Sequence, residues 1–111
     1  MKYIIKGKGG QGVLFLSRVI AEALLLSGAE NFSFLKEFDE GQRNGEIKVT
    51  FNMSLDLADK ELEITENNMI ALRTVVEDLN LDKYSVKEAL KKIKPEAFEK
   101  NLKIWQEKKL S

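Results

Sequence analysis

Alternating apolar and polar residues predict the strands of this chain. The clearest case is Glu46–Met53, where every second side chain is apolar, as in a strand with one face on a core and the other in water. Three shorter apolar runs predict further strands at Tyr3–Ile5, Phe32–Leu35 and Leu62–Ile64. The segment Lys36–Gly45 is a short polar loop, so we expect the third strand to run antiparallel to the second, because a parallel connection needs a longer crossover.

Apolar residues at intervals of three and four predict the helices. The first helix ends at Gly28, the second has Thr65 as its N-cap, and the third opens with the capping box Ser85–Glu88 and ends before Pro95. The apolar positions are Val13, Leu16, Ile20 and Leu24 in the first helix, Met69, Leu72, Val75, Val76 and Leu79 in the second, and Phe98, Leu102 and Trp105 in a last helix. The first strand, helix and second strand form a β-α-β unit with parallel strands. The chain is thus predicted to be one α/β domain over residues 1–111, with a mixed sheet of three to four strands and a C-terminal helical lobe.

The composition limits the chemistry that this chain can perform alone. Its 111 residues include no cysteine and no histidine, which removes the usual zinc ligands, the thiolates of iron–sulfur clusters and the usual general base near neutral pH. We therefore assign no catalytic and no metal-binding residue. The formal net charge is zero, which disfavours nucleic acid or membrane surfaces as partners. With no apolar run of roughly 18 residues and a first strand beginning at Lys2, the sequence predicts neither a membrane span nor a signal peptide, and we expect a cytoplasmic protein.

A glycine-rich turn lies between the first strand and the first helix. A Gly-x-Gly-x-x-Gly turn in this position lets the backbone approach a phosphate, while the start of the helix supplies N–H groups and a partial positive charge. The candidate residues for contact with a phosphate or with CoA are Gly7, Gly9, Gly10, Gln11 and Gly12. Lys8 adds a cation beside the turn. Two other interpretations stay open: a tight turn that serves helix–strand packing, and a contact with a neighbouring subunit.

Arg43, in the loop before the third strand, is the second candidate. Its guanidinium could pair with a carboxylate or phosphate of a ligand or a partner subunit. The alternative is a local salt bridge to Glu37, Asp39 or Glu40. These acids also follow the second strand about where a dinucleotide-binding domain places its ribose-binding carboxylate, so NAD binding is a further alternative, although a catalytic partner residue is missing.

Two segments together resemble a known family. The turn Gly7–Val13 with its apolar helix, and the loop Phe38–Gly45 with Arg43, resemble the gamma subunit of 2-oxoacid:ferredoxin oxidoreductases, which act on substrates such as pyruvate or 2-ketoisovalerate. The resemblance extends more loosely to Asn68-Met69 and to Lys87–Trp105. The middle of the chain, by contrast, is shorter than in that family.

The resemblance implies a small Rossmann-like, three-layer domain in a shortened form. It also implies an accessory subunit, not catalytic on its own, of an enzyme that converts a 2-oxoacid and CoA to acyl-CoA with ferredoxin as acceptor. Thiamine diphosphate and iron–sulfur clusters are then expected on partner subunits, with Lys8 and Arg43 as interface or anion contacts. Two alternatives remain: a free-standing nucleotide- or CoA-binding module, and a shortened structural relative that forms homodimers through an exposed strand edge.

Overall fold

The computed structural model describes residues 1–8, 12–29, 31–38 and 45–106. Over these residues the chain has four strands and four helices, and a short 3₁₀ helix leads into the last of them. In chain order the elements are β1 (Lys2–Lys8), α1 (Val13–Leu26), β2 (Phe32–Phe38), β3 (Glu46–Met53), β4 (Lys60–Glu63), α2 (Asn68–Leu79), α3 (Lys83–Ile93), the 3₁₀ helix (Pro95–Ala97) and α4 (Phe98–Gln106).

The strands form one mixed sheet in the order β2-β3-β1-β4. Strand β3 is antiparallel to both β2 and β1, whereas β4 is parallel to β1. The antiparallel third strand is therefore confirmed. Strands β1 and β2 point the same way, as the β-α-β pattern predicts, but β3 lies between them.

Strand β2 is longer than its apolar run. The sequence predicts an end at Leu35, whereas the pairing with β3 continues through Lys36 and Glu37. Main-chain pairing does not require apolar side chains, and Glu37 lies directly opposite Lys48, an opposite-charge pair of the kind that stabilises neighbouring strands.

The core lies on one face of the sheet. Tyr3 and Ile5 of β1, and Val49 and Phe51 of β3, are buried, while the residues between them face the other side and are half-buried or exposed. Helix α1 packs on β1 and β3, α3 packs along α1, and α4 packs against α2 and α3. The α/β class, the four-stranded mixed sheet and the C-terminal helices are confirmed, and the layers of helices stack on one side of the sheet.

Two helices begin at other residues than predicted. Asn67, not Thr65, caps α2, because its side-chain oxygen accepts a hydrogen bond from the Met69 amide at 2.7 Å. Asp82 caps α3 and accepts bonds from the amide and the hydroxyl of Ser85, at 3.1 and 2.8 Å, which lower the pKa of Asp82. In both places several polar residues precede the apolar stripe, and the backbone entering the helix selects one of them.

Hydrogen bonds between side chains connect β1, β4 and α2 near the start of β1. The Tyr3 hydroxyl donates to Asp78 Oδ2 of α2 at 2.6 Å, and Lys60 Nζ of β4 donates to Asp78 Oδ1 at 3.1 Å. Burial of the phenol, followed by its hydrogen bond to the carboxylate, raises the pKa of Tyr3 well above its usual value of 10.0.

Replacing Tyr3 by Phe removes this hydroxyl and should lower the free energy of unfolding by about 1–2 kcal/mol, because Asp78 keeps Lys60 but loses its buried donor. The measurement is urea unfolding at pH 7, followed by circular dichroism. Tyr84→Phe is the matched control, since Tyr84 is 71% exposed and should change the free energy of unfolding by less than about 0.5 kcal/mol. Equal effects of the two substitutions would contradict the role given to the Tyr3 hydroxyl.

The raised pKa of Tyr3 also predicts a pH dependence. Above the usual tyrosine pKa of 10.0, the unfolded chain releases the Tyr3 proton while the folded chain retains it, so the free energy of unfolding falls as the pH rises. One such group contributes a slope of up to about 1.4 kcal/mol per pH unit. In unfolding curves from about pH 9 to about pH 11, roughly one unit on each side of the usual tyrosine value, Tyr3→Phe should lose this slope and Tyr84→Phe should keep it. Parallel profiles for wild type and Tyr3→Phe would rule the linkage out.

Candidate functional site

The glycine turn joins the end of β1 to the start of α1, and the structure describes both of its sides. Gly7 is buried near the end of β1, and Lys8 ends the strand with an exposed side chain. Gly12 directly precedes the first residue of α1. The other predicted contact residues lie outside the described residues, so their contacts stay predictions: Gly9, Gly10, Gln11 and Arg43.

Gly12 is required by two separate features of its surroundings. Its φ of 76° lies in the left-handed region, which favours glycine. A Cβ atom at this position would also overlap the side-chain amide of Asn68. That amide donates to the Gly12 carbonyl at 3.4 Å, and the same carbonyl accepts the Leu16 amide at 3.0 Å as the first bond of α1.

The contact between Gly12 and Asn68 brings two helix starts together. Asn68 is the first residue of α2, so the start of α2 lies against the start of α1. The two helices follow β1 and β4, which are adjacent and parallel, and the Ile64 amide extends their pairing by donating to the Lys6 carbonyl at 2.8 Å. Both helices therefore leave from the carboxyl ends of neighbouring parallel strands, the edge at which α/β sheets bind ligands.

The two helix starts at this edge favour an anion, although Glu46 lies opposite Lys8 and Glu63 ends β4. Neither α1 nor α2 has an acidic residue in its first turn, and no side chain caps the start of α1. Each helix start presents N–H groups that have no partner within the helix, and each carries a partial positive charge. Lys8 adds a full charge at the end of β1. A phosphate or carboxylate placed here would be stabilised by both helix starts.

Sequence reasoning did not identify Asn68 as a site residue, although Asn68-Met69 belongs to the resemblance. Its role depends on a hydrogen bond across 56 positions of the chain, between α2 and the glycine turn. The asparagine pair Asn67-Asn68 before an apolar stripe was the available signal, because these residues favour helix starts. The sequence alone does not reveal that the second of them contacts Gly12.

A cavity of about 900 Å³ lies between α2, α3 and α4, and its lining includes Ile70, two residues after Asn68 in α2. Arg73 lies in its wall, donating from Nε to the Trp105 carbonyl at 2.8 Å and also contacting the Ile104 carbonyl. These bonds satisfy carbonyls at the end of α4, the negative end of the helix. Trp105 is buried as predicted, and Arg73, which the sequence analysis did not single out, stabilises the helical lobe.

Over the described ranges, no three His, Cys, Asp or Glu side chains come together as ligands for a metal ion. None of the helices in those ranges is both long enough and apolar enough to span a bilayer.

Gly12→Ala should lower the free energy of unfolding by about 2–3 kcal/mol, because alanine is strained at positive φ and its Cβ displaces Asn68. Gly28→Ala is a matched control: Gly28 has a φ of 88° but no atom near its added Cβ, so the cost should be about 1 kcal/mol. The measurement is urea unfolding at pH 7.

A second comparison isolates the contact with Asn68. In an Asn68→Ala background, Gly12→Ala should cost no more than Gly28→Ala, because the overlapping amide is gone. Equal costs for the two glycines in the wild-type background would show that the Asn68 contact does not constrain the turn.

Comparison with known proteins gives structural matches. A scan against protein families finds no match, and neither does a search of curated proteins. Among solved structures, the chain is similar to the gamma subunit of a keto/oxoacid ferredoxin oxidoreductase from Geobacter sulfurreducens PCA. The TM-score is 0.71 and the identity 18%, with 95% of this chain and 94% of that chain covered.

It is also similar to a 2-oxoglutarate:ferredoxin oxidoreductase from Magnetococcus marinus, solved with 2-oxoglutarate, coenzyme A and succinyl-CoA bound. Here the TM-score is 0.59 and the identity 15%, with all of this chain covered. The match spans 32% of that longer chain, about a third of its length. The resemblance found in the sequence is thus confirmed at the level of the fold, and the chain has the fold of the gamma subunit of a keto/oxoacid ferredoxin oxidoreductase.

Proposed function

We propose that this chain is an accessory, gamma-type subunit of a 2-oxoacid oxidoreductase that uses ferredoxin or a similar acceptor and forms acyl-CoA from a 2-oxoacid and CoA. The observation that carries this proposal is the fold similarity, which extends over 95% of this chain and 94% of the gamma subunit. The sequence of the glycine turn, Gly7–Val13, gives independent support, because its resemblance to the family is a match of residue types and does not depend on the fold comparison.

The amino-acid composition supports a division of labour between subunits. Iron–sulfur clusters are held mainly by cysteine thiolates, and this chain has neither cysteine nor histidine. Its residues therefore do not fit a cluster, and we assign iron–sulfur clusters and thiamine diphosphate to partner subunits. The catalytic centre is proposed to lie on those partners.

The contribution proposed for this chain itself is an anion contact at the glycine turn. The starts of α1 and α2 meet there without acidic residues in their first turns, and Lys8 lies beside them. The phosphate groups of CoA match this electrostatic environment. The solved 2-oxoglutarate enzyme contains coenzyme A, which supports CoA as the ligand. Gly7 and Gly12 are the described glycines of this proposed contact, and Arg43 stays a predicted interface or anion contact.

The same edge supports a second candidate function, a free-standing module that binds CoA or a nucleotide. The two functions differ in whether the isolated chain is sufficient for binding. Calorimetry of the purified chain with CoA, NAD and ATP distinguishes them. Heat of binding for NAD or ATP supports the free-standing module, binding of CoA alone agrees with both functions, and absence of binding for all three removes the free-standing module.

The subunit proposal predicts partners. When the tagged chain is purified from its native source, we expect co-purification of proteins that carry thiamine diphosphate and iron, detected by cofactor release and metal analysis. If the glycine turn also contacts a partner subunit, Lys8→Glu should reduce recovery of these partners severalfold. Lys100→Glu is the control, because Lys100 is exposed on α4, which packs against α2 and α3. Recovery of the chain alone, with the partners expressed in the same cells, would contradict the proposal.

A further inference from the structure

The two edges of the sheet differ in length and in character. The edge at β4 has four residues, Lys60–Glu63, with the charged Glu61 and Glu63 and an ion pair from Lys6 to Glu61. Short, charged edges are the usual protection against pairing with another chain. The edge at β2 has seven residues, and its charged side chains are confined to Lys36 and Glu37, with none from Phe32 to Leu35.

Strand β2 also lies beyond the cover of the helices. Its Phe34 contacts the Phe51 ring of β3 at a centroid distance of 5.6 Å, yet Phe34 is 41% exposed and Leu35 on the opposite face is 58% exposed. Within the described ranges, the outer edge of β2 pairs with no other strand. A long edge with exposed apolar residues and unpaired backbone groups is a surface on which another strand can be added.

The sequence of β2 is complementary to itself when two copies run antiparallel. Leu35 is the middle of the seven residues Phe32–Phe38, so placing it opposite its own copy is the one register that pairs all seven. Phe34 then faces Lys36 of the other copy. Within one chain, Lys36 Nζ already lies 5.7 Å from the Phe34 ring, which shows that this cation and this ring are compatible.

Other registers are less favourable. A shift that centres the pairing on Lys36 sets two lysines directly opposite each other, and like charges in that position destabilise a strand pair. A shift that centres it on Phe34 leaves the last residues of both strands without partners. In the register centred on Leu35, Ser33 faces Glu37, and no like charges oppose each other.

We propose that two copies of this chain associate through antiparallel pairing of their β2 strands, with Leu35 on the two-fold axis. The two four-stranded sheets join into one continuous sheet of eight strands. Leu35 contacts Leu35 of the other copy on the face of the sheet without helices. On the helix side, Lys36 of the other copy covers Phe34. The proposal concerns a different surface from the glycine turn and does not depend on the subunit function.

The first test is the mass of the full chain in solution. Sedimentation equilibrium over a range of concentrations should show a dimer of twice 12.7 kDa. Leu35→Glu should raise the dissociation constant of the dimer by about tenfold or more, because it sets two carboxylates opposite each other. Leu57→Glu is the control: Leu57 is 52% exposed on the loop after β3, and its substitution should leave the constant unchanged. Circular dichroism of each variant verifies that it is folded.

The second test determines the register. Since the chain has no cysteine, Leu35→Cys introduces a single thiol. Directly opposed residues of antiparallel strands have Cα atoms about 4.5–5.5 Å apart, which is within the range of a disulfide. In a glutathione buffer, Leu35→Cys should form a covalent dimer. Ser33→Cys should not, because its copy lies four residues away along the pair, about 13 Å. Leu57→Cys serves as the surface control.

Three results would overturn this proposal. They are a monomer at every concentration, a dimer whose dissociation constant is unchanged by Leu35→Glu, and covalent dimers formed equally by Leu35→Cys and Leu57→Cys. None of these results affects the partner co-purification that tests the subunit function.

Discussion

The rest of the structure depends on the pairing of β1 with a strand on each side. Its backbone pairs with β3 from Lys2 to Lys8 and with β4 from Tyr3 to Lys6. This pairing places the carboxyl ends of β1 and β4 next to each other, and α1 and α2 begin just beyond them. Tyr3 secures the opposite end of the strand through Asp78 of α2. The site at one end of β1 and the stability of the other end therefore depend on the same strand.

The glycine turn acquires its chemical character from this arrangement. A single helix start provides a weak positive potential, but here two starts meet, and the Asn68 amide fixes their contact at the Gly12 carbonyl. The chain has neither cysteine nor histidine, so chemistry that depends on a thiolate or an imidazole has no group here. These properties agree with the proposed accessory role.

The placement of the helices on one side explains the exposed strand. Helix α1 covers β1 and β3, where the side chains of Ile5, Val49 and Phe51 are buried, and it leaves β2 largely uncovered. Strand β2 is held to the sheet by its main-chain pairing with β3 and by the contact between the Phe34 and Phe51 rings. Its exposed apolar residues follow from this geometry, and they are the reason to expect a second chain at that edge.

The sequence by itself determined the type and order of the elements. The alternation in Glu46–Met53 excludes a helix, and the spacing of apolar residues after Gly12 excludes a strand, since a strand and a helix repeat with different periods. The short polar loop before β3 also indicated its antiparallel direction. Composition excluded chemistry that depends on cysteine or histidine. All of these inferences use residues that are close together in the chain, or counts over all of it.

The tertiary structure decided what depends on residues far apart in the chain. Three features are of this kind: the position of β3 between β1 and β2, the capping of α2 by Asn67 instead of Thr65, and the contact of Asn68 with Gly12. In each case several residues or strands have similar local preferences for the same position. The charged end of β2 continues as a strand because β3 supplies its backbone partners and Lys48 faces Glu37. Local propensities differ by fractions of a kcal/mol in such cases, so burial and long-range hydrogen bonding select the outcome.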